Sequence, residues 1–408
     1  MKIKKLFLLI FLLMHLFCFN AIAKPYVLLV SFDGFRWDYL HRGITPNLDS
    51  LASAGVKALS LRPCFPSVTF PNHYSEISGM YPENHGIILN DFTDPATSSR
   101  YRISDTAEVR KSSWYKGEAF WETAEKNGIT AASYFWPGSE VNNPSRRPRY
   151  FERYEHSRDY GVRIDGIINW LNLPQDRRPH FMTLYFDATD SYGHRYGTTS
   201  AEVNRTIAQL DSITGLLCSK LRQIGMGDSV NLIITSDHGM TDVSPERVVF
   251  IADIIKQSAD WKVRYNGEGG IVMIDAGSER LDTIYDRLKR TENHYRVYRR
   301  HEVPEYFHFS KNLLISPIVV IAETGWILTG SERREDFLKR AYGGKHGYDN
   351  NEMDMHGIFL ASGPAFKKAY STGTLWNVDI YPLLCKIFNI IPHHQIDGNR
   401  ERIEFVLE

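Results

Sequence analysis

The stretch Tyr26-Val27-Leu28-Leu29-Val30-Ser31-Phe32-Asp33-Gly34-Phe35 decides the fold: seven residues rich in branched and aromatic side chains stop abruptly at an aspartate and a glycine. An apolar run of that length, closed by turn residues, reads as a buried strand. Two other runs have the same form. Phe181–Phe186 leads into Asp187-Ala188-Thr189-Asp190-Ser191-Tyr192-Gly193-His194, and Val230–Thr235 leads into Ser236-Asp237-His238-Gly239. Far downstream, Gly343-Gly344-Lys345-His346-Gly347-Tyr348-Asp349-Asn350 supplies one more histidine. Loops at the ends of parallel strands are free of ladder hydrogen bonds and open into one crevice. The chain is therefore expected to be α/β, with a central, mostly parallel sheet flanked by helices. Asp33, Asp190, His194, Asp237, His238 and His346 should converge at one edge of it.

Three aspartates and three histidines divide into two sets of three. Imidazole with carboxylate suits Zn²⁺, whereas an all-oxygen set would suit Mg²⁺ or Ca²⁺. Three protein ligands leave a tetrahedral position open, which distinguishes a catalytic zinc from a structural one. Two such ions about 3.5–4 Å apart can clamp the attacking and departing oxygens of an in-line displacement. The expected cofactor is two Zn²⁺ per chain. Asp187 and Asp349 are left out of the set, and His73, His85, His356, His393 and His394 are expected to hold loops.

Between the first and second ligand segments lies Pro66-Ser67-Val68-Thr69-Phe70-Pro71-Asn72-His73, then Tyr81-Pro82-Glu83-Asn84-His85-Gly86 with Asn90 beyond it, then Trp136-Pro137-Gly138-Ser139-Glu140. Together with the Asp33-Gly34, Asp190/His194, Asp237-His238-Gly239-Met240 and His346-Gly347-Tyr348-Asp349-Asn350 segments, these resemble the nucleotide pyrophosphatase/phosphodiesterase family of the alkaline phosphatase superfamily. The resemblance covers nearly the whole chain beyond its leader and is to a single-domain member of bacterial type. It implies an alkaline-phosphatase-like core with an inserted subregion. It implies that Thr69 is the nucleophile, that Asp33, Asp237 and His238 bind the metal that activates it, and that Asp190, His194 and His346 bind the other. Asn90 falls where the family steadies the phosphate oxygens. Phe70, directly after the nucleophile, and Tyr154, eighteen residues past Trp136, fall where nucleotide-hydrolysing members sandwich the base, and Tyr185 is grouped with them as substrate-binding. The expected substrate is a small phosphodiester, a nucleotide cleaved to its 5′-monophosphate.

Other chemistries are weighed on the same residues. A choline or lysophospholipid phosphodiesterase would share this metal set. Cys64-Phe65-Pro66-Ser67 begins like the sulfatase sequence whose cysteine becomes formylglycine, but Val68 occupies its arginine position, and the histidine-rich triads argue against that single hard-ion site. A phosphomonoesterase would want an arginine to grip a terminal dianion, and none lies near Thr69 in sequence. A non-catalytic zinc-binding relative would be expected to lose one of the seven positions, and all are filled.

The 408 residues suit one large α/β core, and 43% hydrophobic with 24% charged residues is globular composition. Lys2, Lys4 and Lys5, the apolar stretch Leu6–Phe19 and Ala21-Ile22-Ala23 read as a secretory leader over 1–23, too short for an ordinary membrane span. Its removal takes the basic count from 48 to 45 against 48 acidic residues, about −3, with no bias toward stable nucleic-acid binding. A secreted or periplasmic protein without an integral membrane segment is expected, its catalytic unit running over 24–408. Cys64, Cys218 and Cys385 are an odd number and make no disulfide framework. Residues 244–341 read as an insertion framing one side of the pocket, with a helix over Ser278–Lys289 and strand-like pieces at Ile271–Ile274 and Ile315–Ile321. Tyr295–His308 reads as a solvated, snorkelling surface.

Overall fold

The three runs read as strands form with the expected bounds, Tyr26–Phe32, Phe181–Phe186 and Val230–Thr235, and lie side by side in a computed structural model that describes residues 24–256, 261–340 and 342–408. The leader expected over 1–23 falls outside the described residues. Tyr26–Phe32 is central and pairs in parallel with both others, Phe32 opposite Phe186 and Ser31 opposite Thr235. Asp33, Asp187 and Ser236 therefore leave the sheet at one edge.

The sheet has eight strands, in the order Tyr370–Thr372, Val56–Ala58, Phe359–Ser362, Val230–Thr235, Tyr26–Phe32, Phe181–Phe186, Ala131–Tyr134 and Tyr150–Glu152. Only Phe359–Ser362 runs antiparallel to its neighbours. Strand side chains alternate faces with a period of two. Leu28, Val30 and Phe32 accordingly pack with Ile164, Ile167, Val203 and Ile207 on one side, while Val27 and Leu29 pack with Phe120, Trp121, Tyr381 and Leu384 on the other. Burial on both faces is why the strands are continuous apolar runs. Among the described residues no helix is long and apolar enough to cross a membrane.

The region after Thr241 builds a second, antiparallel sheet in the order Arg264–Asn266, Ile271–Asp275, Ile318–Ala322 and Tyr295–Arg299. Ile284 and Leu288 of the Ser278–Arg290 helix pack on Val272, Ile274, Val297 and Val320. Two expectations need correcting. The strand expected from Ile315 begins at Ile318. The run expected as solvated surface is instead an edge strand over Tyr295–Arg299 that buries Tyr295 and Val297, and beyond it Val303 and Phe307 are buried as well. Alternation of apolar with basic residues is the pattern of a half-buried strand as much as of a snorkelling surface.

Candidate metal centre and its cleft

Six potential ligands meet at the sheet edge in two groups, Asp33 with Asp237 and His238, and Asp190 with His194 and His346. Each arrives by a different route. Asp33 and Asp237 follow strand ends. Asp190 and His194 stand four residues apart on the Ala188–Tyr196 helix, hence on one face of it. His346 comes off the Gly343–Lys345 strand, which pairs with Thr241–Val243. The approach of that helix to the Asp33 loop requires Gly34: its φ is +64°, and a Cβ there would lie 2.9 Å from the Asp190 Cα.

In the first group, the His238 Nε2 is 3.4 Å from Asp33 Oδ1 and 3.2 Å from Asp237 Oδ2. In the second, the His194 Nε2 is 3.3 Å from Asp190 Oδ1, and the His346 Nε2 is 3.6 Å from the same oxygen. The His238 and His346 rings stack at 3.8 Å, joining the two groups. The Nδ1 of each histidine contacts a backbone carbonyl: Gly239 for His238 at 2.8 Å, Gly344 for His194 at 2.8 Å, and Ser67 for His346 at 2.9 Å. A carbonyl accepts only, so Nδ1 carries the proton and a neutral ring keeps its Nε2 lone pair for a cation, the arrangement found in histidine metal ligands.

The carboxylates are crowded and incompletely partnered. Asp33 Oδ1, Asp190 Oδ1 and Asp237 Oδ2 are buried and have no hydrogen-bond partner. Burial first, then the negative charges of Asp237 and Asp190, push the Asp33 carboxyl well above its ordinary range, and burial followed by Asp190 does the same to Asp237. Burial pushes His238 down to about 3 and His346 well below its usual value. At His194 burial also lowers the pKa, but the adjacent Asp190 carboxylate outweighs it and the net shift is upward. The Nε2 atoms of His194 and His346 face each other at 3.2 Å. Orphaned oxygens, crowded carboxylates and facing nitrogens are what two dications would relieve, so the donor set fits the expected pair of metal ions.

Thr69 opens the Thr69–Ser78 helix, its Oγ1 3.2 Å from His238 Nε2. A helix N-terminus favours an anion in front of it. Asn90 Oδ1 accepts from the Phe70 N–H at 2.9 Å, which fixes the amide beside Thr69 and leaves its Nδ2 uncommitted among the described residues. From Thr69 a cleft of about 270 Å³ runs between Phe70, Tyr154, Tyr185, Phe135, Trp136 and Glu140. Tyr154 is 47% exposed, with its backbone N–H on Glu140 Oε1 at 2.6 Å. The Tyr185 ring lines the cleft, but its hydroxyl donates to Asp33 Oδ2 at 2.6 Å.

Several residues hold places at the site that the sequence did not assign to them. His73 does not hold a loop: it is buried in the Thr69–Ser78 helix, its Nδ1 2.9 Å from Thr69 O and 3.3 Å from Asp237 Oδ2, its Nε2 2.8 Å from Ser31 Oγ. Glu76, one turn further, is fully buried; its Oε2 accepts from Thr235 Oγ1 at 3.0 Å and its Oε1 has no partner. The spacing Thr69, His73, Glu76 is one helix face, a signal available in the sequence. Arg110 lines the cleft and pairs with Glu140, while Asp187, also in its wall, pairs with Arg163 and His156. Among the described residues, none of 244–341 lines this cleft, contrary to expectation. Gly270 packs instead against Gly347 and Tyr348 behind the second group. Cys64 is buried outside the cleft, its Sγ on Asn377 Oδ1 at 3.1 Å.

Such a chain is of the class that gathers paired His/Asp triads at one sheet edge, here with the Thr69 hydroxyl against the first of them. The family described as type I phosphodiesterase / nucleotide pyrophosphatase matches residues 27–349, and the chain belongs to it. Human ectonucleotide pyrophosphatase/phosphodiesterase family member 1 is 34% identical over 385 residues, covering 92% of this chain, which spans only 41% of that relative. Bis(5′-adenosyl)-triphosphatase enpp4 of Xenopus laevis is 35% identical over 369 residues, covering 90% of this chain and 78% of the relative. Among solved structures, murine ectonucleotide pyrophosphatase/phosphodiesterase 5, as an inactive threonine-to-alanine variant in complex with AMP, superposes with a TM-score of 0.88 at 30% identity, over 94% of this chain and all of that one. The likeness carries with it the alkaline-phosphatase-like core expected from sequence.

Proposed function

We propose that this chain is a di-zinc phosphodiesterase and nucleotide pyrophosphatase that releases nucleoside 5′-monophosphates through a phosphothreonine at Thr69. The observation that carries the reading is the pair of triads with orphaned oxygens, the first of them against a threonine at a helix N-terminus, opening into an aromatic cleft. Asp33, Asp237 and His238, and Asp190, His194 and His346, would each hold a Zn²⁺, whose positive charge would favour an ionised oxygen nucleophile at neutral pH and offset the negative charge of the phosphoryl group. Phe70 and Tyr154 hold the base, and the Asn90 amide donates to a non-bridging oxygen. Thr69 Oγ1 attacks phosphorus, the bond to the leaving oxygen breaks, and a phosphothreonine forms; water then attacks the same phosphorus, releasing the monophosphate and restoring Thr69. The enpp4 relative's name and the AMP complex of the murine family member 5 support nucleotides as the substrate class. Residues 24–408 serve this reaction as one unit, because the site draws on residues from Asp33 to His346. With a leader over 1–23 the enzyme acts in a secreted or periplasmic setting.

The test is release of p-nitrophenol from p-nitrophenyl thymidine 5′-monophosphate. Chelation should silence it and Zn²⁺ restore it. Thr69→Ala should abolish turnover with metal content unchanged, and retention of more than about a tenth of wild-type kcat, a loss under about 1.4 kcal/mol of barrier, would overturn the covalent route.

A further inference from the structure

Lys345 is the last residue of the Gly343–Lys345 strand and sits opposite Thr241 in the pairing with Thr241–Val243. The backbone on both sides of it is tied to the second triad. Gly344 O bonds His194 Nδ1 at 2.8 Å, and His346 Nδ1 bonds Ser67 O at 2.9 Å. The side chain is half-buried and runs past Gly269, its Cδ 3.9 Å from where a Cβ on that glycine would lie. Among the described residues it makes no hydrogen bond or ion pair. Its ammonium is close enough to favour the ionised Asp190 and to disfavour a charged His194.

The position of Lys345 relative to the reaction axis gives this free cation a role. Thr69 sits against His238 of the first triad. In-line displacement sends the leaving oxygen away on the side of phosphorus opposite the nucleophile, and Asp190, His194 and His346 form the group that the Thr69 hydroxyl does not contact among the described residues. The aromatic cleft, where the retained nucleoside belongs, is lined by Phe70, Tyr154 and Tyr185, and Lys345 does not line it. Lysine is a compact point charge that binds phosphate without demanding planar, bidentate geometry. A quaternary ammonium or a neutral alcohol in the same place would gain nothing from it.

Resting on the reading of the site given above, we propose that Lys345 is a specificity-determining residue that grips the anionic leaving group, so that the enzyme prefers diesters whose departing half carries further phosphates. The test keeps the nucleotidyl half constant. Thymidine triphosphate departs with pyrophosphate, and p-nitrophenyl thymidine 5′-monophosphate departs with a singly charged phenolate. In zinc-loaded enzyme, Lys345→Met should lower kcat/KM for the triphosphate about tenfold while changing the ester less than twofold, and Lys345→Arg should keep at least half of the wild-type triphosphate rate. Equal losses on both substrates, no loss on the triphosphate, or wild-type enzyme that cleaves the ester but not the triphosphate would each overturn the role of Lys345 and leave the phosphodiesterase reading standing. Wild-type enzyme that cleaves neither would overturn that reading itself.

Discussion

Glu76→Gln should change how the stability of this protein depends on pH. Glu76 is fully buried against the sheet, and burial first, then the negative charge of Asp237, push its carboxyl from an ordinary 4.5 up to about 8, against the opposing pull of His73 and the Thr235 hydroxyl. The folded chain thus keeps this proton to about pH 8, whereas the unfolded chain releases it near 4.5. Between those values the unfolded state binds fewer protons, so stability falls as pH rises and levels off outside the window. Each pH unit is worth about 1.4 kcal/mol, so the wild type should lose about 4 kcal/mol from this one group between pH 5 and 8. Glutamine keeps an oxygen for Thr235 and cannot ionise. Urea unfolding of both proteins at pH 5, 6, 7 and 8 measures the gap, with a chelator present so that metal binding by Asp33 and Asp237 does not titrate alongside. The variant should gain on the wild type by about 4 kcal/mol across the series, other groups cancelling in the difference. A gap that moves by less than about 1 kcal/mol would refute the buried, protonated carboxyl.

The remaining expectations concern the site. His194→Ala and His346→Ala should each lose about one equivalent of metal by elemental analysis, because two ligands hold Zn²⁺ far less well than three; Asp33→Ala should do the same to the other ion. Tyr154→Ala should lower kcat/KM for a nucleotide about ten- to a hundredfold, as loss of one stacking partner implies, with little change for bis-p-nitrophenyl phosphate, and equal losses on both would reduce Tyr154 to a support of the fold. Gly34→Ala should cost about 1–3 kcal/mol in thermal unfolding from its left-handed backbone alone, and the 2.9 Å approach to Asp190 should add weaker metal binding.

The legible parts of this molecule share a physical cause. The three central strands are buried on both faces, so apolar residues dominate them, with Ser31, Thr183, Asn231 and Thr235 the polar exceptions, and the switch to Asp33, to Asp187 through His194, and to Asp237-His238 marks where each strand ends. The flanking strands Val56–Ala58 and Tyr370–Thr372 have only three residues each, too few for a period to show. The cleft wall was hard to read for a different reason. Arg110, Glu140, His156 and Asp187 belong to loops and helix ends whose meeting is set by tertiary packing, and no spacing in the sequence records it.

The Thr69–Ser78 helix shows where pattern reading goes astray. Thr69, His73 and Glu76 fall on one face, and that face is buried, so a hydrophobic stripe would be the ordinary expectation. It carries polar groups instead. Of their partners, Ser31 and Thr235 stand on the two strands that deliver the first triad, and Asp237 lies just beyond the end of one of them. An apolar stripe would hold the helix against the sheet equally well but would let it slide by fractions of an ångström, because dispersion contacts are not directional. Hydrogen bonds at 2.8 and 3.0 Å fix rotation and register together, and a displacement of about 1 Å at a reacting group can cost on the order of a hundredfold in rate. The buried polar face is therefore where this fold trades hydrophobic stabilisation for the placement of Thr69 over the first triad.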